Sequence, residues 1–319
     1  VVDSGVTVSG EGFVATALMK PAGDSVHEFG ATAKSGAAAG ETGVAGSFAL
    51  NLVNPGGASV TEAGLRTGAS VNAHEGNVTI GAASTTDSEA RAEAAVEGGA
   101  ATGVGASIAI QVVDNDVFAR VADQAVLNGG NNVTLEATGS HDTTMYASGG
   151  AAGTDTAVGG SFAIVVADNK THATLGEGTA LNIDGDFRAT ATHHGATTNT
   201  AKGDAAGGTA VGAAIALSFV SDEAVASTDR NLLADGSIAF EAFADGLSTV
   251  QATASAAGAD KSEEGSAGNS KANDQTGKQT DVADAKSNRT NEQGTERTSA
   301  NSSSGDVSVA AAIGLNVAE

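Results

Sequence analysis

Few residues in this chain combine the types and spacing that chemistry requires. Gly105-Ala-Ser107-Ile-Ala109 and Gly159-Gly-Ser161-Phe-Ala163 carry part of a nucleophile elbow, but the second glycine of that motif is missing. The same serine recurs as Ser47 and is replaced by Ala214 and Ala312, so the position reads as one that needs a small side chain. No catalytic residue is assigned, and no enzyme activity is expected. His193-His194 offers two imidazoles. Neighbours on a strand point to opposite faces and cannot chelate one ion without a bulge, so the pair reads as solvated. Asp114-Asn-Asp116 and Asp184-Gly-Asp186 cluster oxygens of the kind a hard cation takes, which makes Asp114, Asp116, Asp184 and Asp186 the calcium candidates. Neither pair follows the spacing of an EF-hand or a calcium-binding nonapeptide, and ordinary turn chemistry accounts for them. Calcium aside, no cofactor is expected.

Composition narrows the classes further. The 319 residues include 38 acidic and 15 basic side chains, a net charge of −23. Such a chain is repelled by nucleic-acid phosphates and by anionic membranes. It has no Cys, which excludes disulfide scaffolds, thiol nucleophiles and Cys-based zinc sites. No apolar run approaches the roughly 20 residues of a membrane span, and Val1-Val2-Asp3-Ser4 does not read as a signal peptide. With 44 Gly, 9 Phe, Tyr146 as the single Tyr and no Trp, a bulky aromatic core is not on offer.

One segment recurs five times: Val44-Ala-Gly-Ser-Phe-Ala-Leu-Asn-Leu52, Val104-Gly-Ala-Ser-Ile-Ala-Ile-Gln-Val112, Val158-Gly-Gly-Ser-Phe-Ala-Ile-Val-Val166, Val211-Gly-Ala-Ala-Ile-Ala-Leu-Ser-Phe219 and Val309-Ala-Ala-Ala-Ile-Gly-Leu-Asn-Val317. The markers Phe48, Ile108, Phe162, Ile215 and Ile313 stand at intervals of 60, 54, 53 and 98 residues. Each copy alternates with period two, as a strand does. The bulky set is expected to face the core, with these five markers forming a buried ladder. The opposite face of Gly, Ala and Ser suits the close approach of a second sheet.

A second strand follows each copy: Gly76-Asn-Val-Thr-Ile-Gly-Ala82, Asn131-Asn-Val-Thr-Leu-Glu-Ala137, Gly185-Asp-Phe-Arg-Ala-Thr-Ala191 and Gly236-Ser-Ile-Ala-Phe-Glu-Ala242. Its apolar residues alternate with Thr, Glu and Arg, as in a half-buried strand with a solvated face. Asp114-Asn115, Asp168-Asn169, Asp222-Glu223 and Asn54-Pro55-Gly56-Gly57 read as turns that close the long strands. Residues 258–304 are polar and low in complexity, which predicts a loop or disordered insertion. The domain reading is therefore repeats over 1–257, the insertion over 258–304, and the start of another repeat over 305–319.

Repeat units of 53–60 residues with several short strands predict an all-β solenoid of the parallel β-helix kind, about five units long with two or three coils in each. A stack of β-hairpins is the alternative. The pairing of the two strand motifs resembles the repeats of very large bacterial filamentous adhesins, the filamentous-haemagglutinin-like and leukotoxin-type families. That resemblance covers roughly residues 1–257 and 305–319. It implies a secreted or cell-surface fibre whose partners are neighbouring repeats or identical chains stacked end to end. A module that recognises a glycan or host surface through 258–304 or a Thr-rich face is the second reading, and a carbohydrate-active β-helix enzyme the third.

Overall fold

The computed structural model describes residues 1–18, 26–38, 40–54, 60–97, 100–257 and 307–319, together with the backbone of 294–303. Every strand pair among them is parallel. Hairpins need antiparallel neighbours, so the hairpin stack is excluded and the fold is a parallel β-solenoid.

One coil climbs the strand Thr102–Val121, turns through the short strand Val126–Asn128 and returns along Val133–Ala152. It then turns again into Thr156–Leu175, which pairs with the strand it started from. Ile108 pairs with Phe162 and Phe162 with Ile215, so each repeat is one coil, not the two or three expected. The difference lies in strand length. Asp114-Asn115 and Asp168-Asn169 sit in mid-strand and close nothing, so the strand runs for 20 residues. At about 3.3 Å per residue such a strand spans roughly 66 Å, while each coil adds only about 4.8 Å of height. The result is a wide slab.

Two broad sheets form its faces. The first stacks Thr42–Val53, Thr102–Val121, Thr156–Leu175, Thr209–Thr228 and Val307–Ala318 in register. The second stacks Phe13–Leu18 and His27–Ala37 on Val78–Val96, followed by Val133–Ala152, Phe187–Ala206, Ile238–Ala257 and Gly294–Ser303. Residues 294–303 thus belong to a sheet, paired from Ser248↔Gly294 onward, and are not part of an insertion. Their side of the slab supplies the second sheet's share of the coil that Val307–Ala318 completes. Residues 258–293 and Gly305 lie outside the described residues. Most of the excess in the 60-residue interval is local: Val53 pairs with Val113 and Val60 with Asp116, so seven steps of chain stand against three in the next coil, just after Asn54, which takes a left-handed φ of 52°.

The small-residue face is indeed buried against the second sheet, but the bulky face is not core. The five markers do form one in-register ladder, yet it faces outward: Phe48 is 56% exposed, Ile108 40% and Ile313 38%, and Phe162 and Ile215 are only half-buried by their neighbours in the stack. The expected core ladder is therefore wrong about its side. The reason is steric. A Cβ placed on Gly149 would overlap the carbonyl of Gly160, one on Gly105 that of Gly150, and one on Gly203 that of Ala213. The sheets meet backbone to backbone there, and between them the interior holds mostly Gly, Ala, Ser, Thr and Asn, with Val, Met145 and Gln111 the largest side chains and no buried Leu, Ile or Phe. Farther along the strands the slab widens. Short strands such as Ser70–Asn72, Val126–Asn128 and Leu181–Ile183 form a third side, and Leu65, Ile80, Leu127, Leu135, Leu175 and Phe187 fill the space.

Replacing Gly149 with Ala should therefore cost more than about 3 kcal/mol or block folding, because the atom that must yield is backbone. Gly30→Ala, whose new methyl meets nothing within 4 Å, should change stability by less than about 1 kcal/mol. Thermal unfolding of the two variants reads the difference; equal midpoints would refute backbone-limited packing.

Candidate functional site

Between the alanine-packed part of the slab and its leucine-packed part lies a belt of buried polar side chains. The first sheet contributes Asn115, Asn169 and Asp222, which occupy one row. Asn115 Nδ2 donates to Asn169 Oδ1 at 2.8 Å, and Asn169 Nδ2 donates to Asp222 Oδ1 at 2.8 Å. Each amide satisfies the next coil, which is why Asn sits in mid-strand facing inward rather than in a turn.

The second sheet contributes two histidines from adjacent coils. His193 pairs in register with Gly139, and His141 with Gly195. Each imidazole thus lies beside a glycine. A Cβ on Gly139 would collide with the Thr171 hydroxyl, and one on Gly195 would lie 2.7 Å from the Asp222 carboxylate. The rings are tilted at 38° with centroids 5.5 Å apart. His193 Nε2 donates to Asp222 Oδ1 at 3.2 Å, so in the neutral ring Nδ1 accepts from the Thr171 hydroxyl at 3.1 Å. His141 Nδ1 is 2.9 Å from the Thr86 hydroxyl.

These surroundings set the charges. Burial pushes the Asp222 carboxyl up, and the hydrogen bonds from His193 and Asn169 more than reverse this, holding it below the usual carboxylate range. Burial lowers His141 to about 4, with His193 adding to the shift and Asp222 opposing it. His141 is therefore a neutral ring at ordinary pH. Thr171, His193 and Asp222 stand in the order of nucleophile, base and orienting acid. Thr171 and His193 are completely buried, however, and no substrate carbonyl reaches the hydroxyl. The arrangement serves to lock the two sheets in register.

The residues singled out in the sequence do not converge. Ser107 and Ser161 are buried on the inner face, as small packing positions should be. His193 and His194 do point to opposite faces, but only His194 is solvated; His193 belongs to the belt, because Gly139 makes room for its ring. Asp114 and Asp116 project from the outer face of the first sheet, where the coil above places Asp168 and Lys170. Lys170 Nζ lies 2.6 Å from Asp168, so a cation is already present. Burial, reinforced by Asp114, raises Asp116. Asp184 and Asp186 stand at a corner remote from that pair. Asp186 Oδ1 accepts from the backbone N–H and hydroxyl of Ser237, and its own N–H donates to Asn132 Oδ1. That is coil-to-coil capping. Among the described residues no group of three His, Cys, Asp or Glu could hold a metal ion.

The corners hold one further buried charge. The Arg230 guanidinium donates to the carbonyls of Ala122, Ala125, Gly176 and Glu177, tying three coils together with no carboxylate partner among the described residues. An open groove of about 610 Å³ lies beside it, lined by Arg66, Arg120, Asp123 and Asp229 among others. Both groove arginines are paired with Glu62, at 3.2 Å and 2.7 Å. Among the described residues no spare cation is left there to recruit an anion.

The belt makes folding acid-sensitive. The unfolded imidazole of residue 141 takes up its proton near pH 6.5 and the folded one only near 4. The unfolded chain then binds more protons across that window, and stability falls as pH drops through it by about 3 kcal/mol in total. Denaturant midpoints measured from pH 7 to 4 should show this slope, and His141→Gln should flatten it while leaving any steeper loss below pH 4 that Asp222 causes. An unchanged slope in the variant would disprove the assignment.

No protein-family model, no curated protein and no solved structure matches this chain.

Proposed function

We propose that the chain is a structural segment of an extracellular or cell-surface bacterial fibre or adhesin, where it serves as a stiff, broad scaffold. The observation that carries this reading is the uninterrupted register. Strand Phe187–Ala206 pairs with Val133–Ala152 at all 20 positions, and Thr209–Thr228 pairs with Thr156–Leu175 likewise. A further coil of the same design adds to an outermost strand without altering the pattern, whether it comes from the same polypeptide or from another copy. The net charge of −23 discourages indiscriminate association through those edges.

The dimensions refine the role. A coil spends 54 residues, from Ile108 to Phe162, to advance by one strand spacing. Such a design is a costly way to gain length and an effective way to gain width, rigidity and two large faces. The outer face of the second sheet is hydroxyl-rich, with Thr138 beside Thr192 and Thr144 beside Thr198. That supports display of a polar surface to a host or a glycan. Tyr146, the only tyrosine, has Arg91 at 4.5 Å and Lys202 at 5.6 Å from its ring centroid, so its face is already engaged and offers a sugar little.

Stretching single chains by their ends should release coils one at a time, in steps of roughly 180 Å for a 54-residue coil. On cells, external protease should reach the chain without lysis. A single all-at-once extension would remove the scaffold reading, and protection inside intact cells would remove the surface placement.

A further inference from the structure

The N-terminal half of each strand in the first sheet presents an apolar outer face in all five coils. The rows headed by Val44, Phe48, Leu50 and Leu52 continue through every coil as Val, Ile, Leu or Phe. The row that starts at Thr42 is the most polar of the set. No charged side chain enters this block in any of the five coils. Five strands about 4.8 Å apart and nine residues about 3.3 Å apart make a patch of roughly 700 Å². That exceeds the largest apolar patch of a typical monomer, about 300–600 Å².

We infer that this face packs against the same face of a second copy of the chain. Area is the first argument: two such patches bury roughly 1,400 Å² together, within the range of a stable specific interface. Relief is the second. Between the Val44 row and the Phe48 row runs a row of Gly46, Ala106, Gly160, Ala213 and Ala311. Nothing within the chain requires glycine there, because a Cβ on Gly46 or Gly160 would meet no atom within 4 Å. The row is a groove beside a ridge. A two-fold axis parallel to the stack and between the two rows seats each copy's ridge in the other's groove. The coil spacing is identical in both copies, so the match persists along the stack.

Other occupants suit the face less well. A bilayer surface favours Trp, Tyr and cations, whereas this chain has no Trp, carries a charge of −23 and bears its one Tyr on the opposite sheet. The rings of this face, Phe48, Phe162 and Phe219, are separated by aliphatic side chains and form no continuous platform for a glycan.

Sedimentation velocity from about 1 to 100 µM, with the full chain, tests the pairing. The parent chain should form dimers that tighten with added salt, because each copy carries the same large negative charge. Phe162→Lys should weaken the dimer by about 100-fold or more, since a lysine there would be buried without a partner. Gly160→Leu should fill the groove and weaken the dimer while leaving the circular dichroism spectrum and the dilute-solution melting temperature intact. A parent chain that stays monomeric throughout overturns the inference. So does a dimer that survives both substitutions, which would place the contact at the strand edges. Binding of monomers to phosphatidylcholine vesicles without dimer formation would assign the face to lipid and equally overturn it.

Discussion

The closeness of the two sheets governs everything else in this molecule. Where Gly149 faces Gly160 and Gly203 faces Ala213, the inner surfaces are separated by little more than backbone. Apolar burial in that region is carried by alanine after alanine, from Ala90 and Ala109 to Ala254. Each contributes little, yet packing at this distance recovers dispersion contacts over a large area. The exclusion of larger side chains has a consequence outside the slab. Strands need bulky β-branched and aromatic residues to be good strands, and with that part of the interior closed to Ile, Leu and Phe, those residues line the exterior.

Such an interior would by itself specify register poorly. Alanine rows are interchangeable, and a slip of two residues would keep every methyl inside. Polar side chains remove that degeneracy. The Asn115–Asn169–Asp222 chain and the His193–Asp222 contact are satisfied only in one alignment of the coils and of the two sheets. Asn51 and Asn199 reach across the gap to carbonyls of the opposite sheet in the same way. A buried polar group left unpaired is expensive, so these few contacts discriminate against wrong registers more strongly than their own net stability suggests.

This division explains which features were legible in the sequence. Period-two alternation and the recurrence of one nine-residue segment are one-dimensional signals, so the all-β repeat, the strand pairs and the small-residue inner face followed from them. The side occupied by Phe48 and its equivalents did not, because the rule that large side chains go inside assumes a gap wide enough to hold them. Asn115 and Asn169 misled for a related reason. As isolated residues they favour turns, and only their 54-residue spacing, one full coil, turns them into a ladder. His141 gave no local signal at all, and Asp222, like the two asparagines, read as a turn residue. They matter because Gly139 and Gly195 stand beside the two imidazoles, a relation that exists only once the register is known.

A wide, thin coil stack also divides its labour between its faces in a way that a narrow solenoid cannot. The second sheet points Thr, Ser, Glu and Asp outward, and the N-terminal half of the first points Val, Ile, Leu and Phe. Because both sheets come from the same coil, each added coil extends both surfaces by the same increment. The ratio of polar to apolar face is therefore independent of length. In a lateral pair the two apolar faces would be enclosed and both outer surfaces would carry the acidic, hydroxyl-rich pattern. The net repulsion between such surfaces limits further lateral growth, because a third copy would meet charge where the second met aliphatic ridges. Growth along the stack, were coils to be added there, would meet no such limit, since each added coil would repeat the register already present. In such a pair, the same residues that close the interior to bulk would leave an assembly of fixed thickness whose only open dimension is its length.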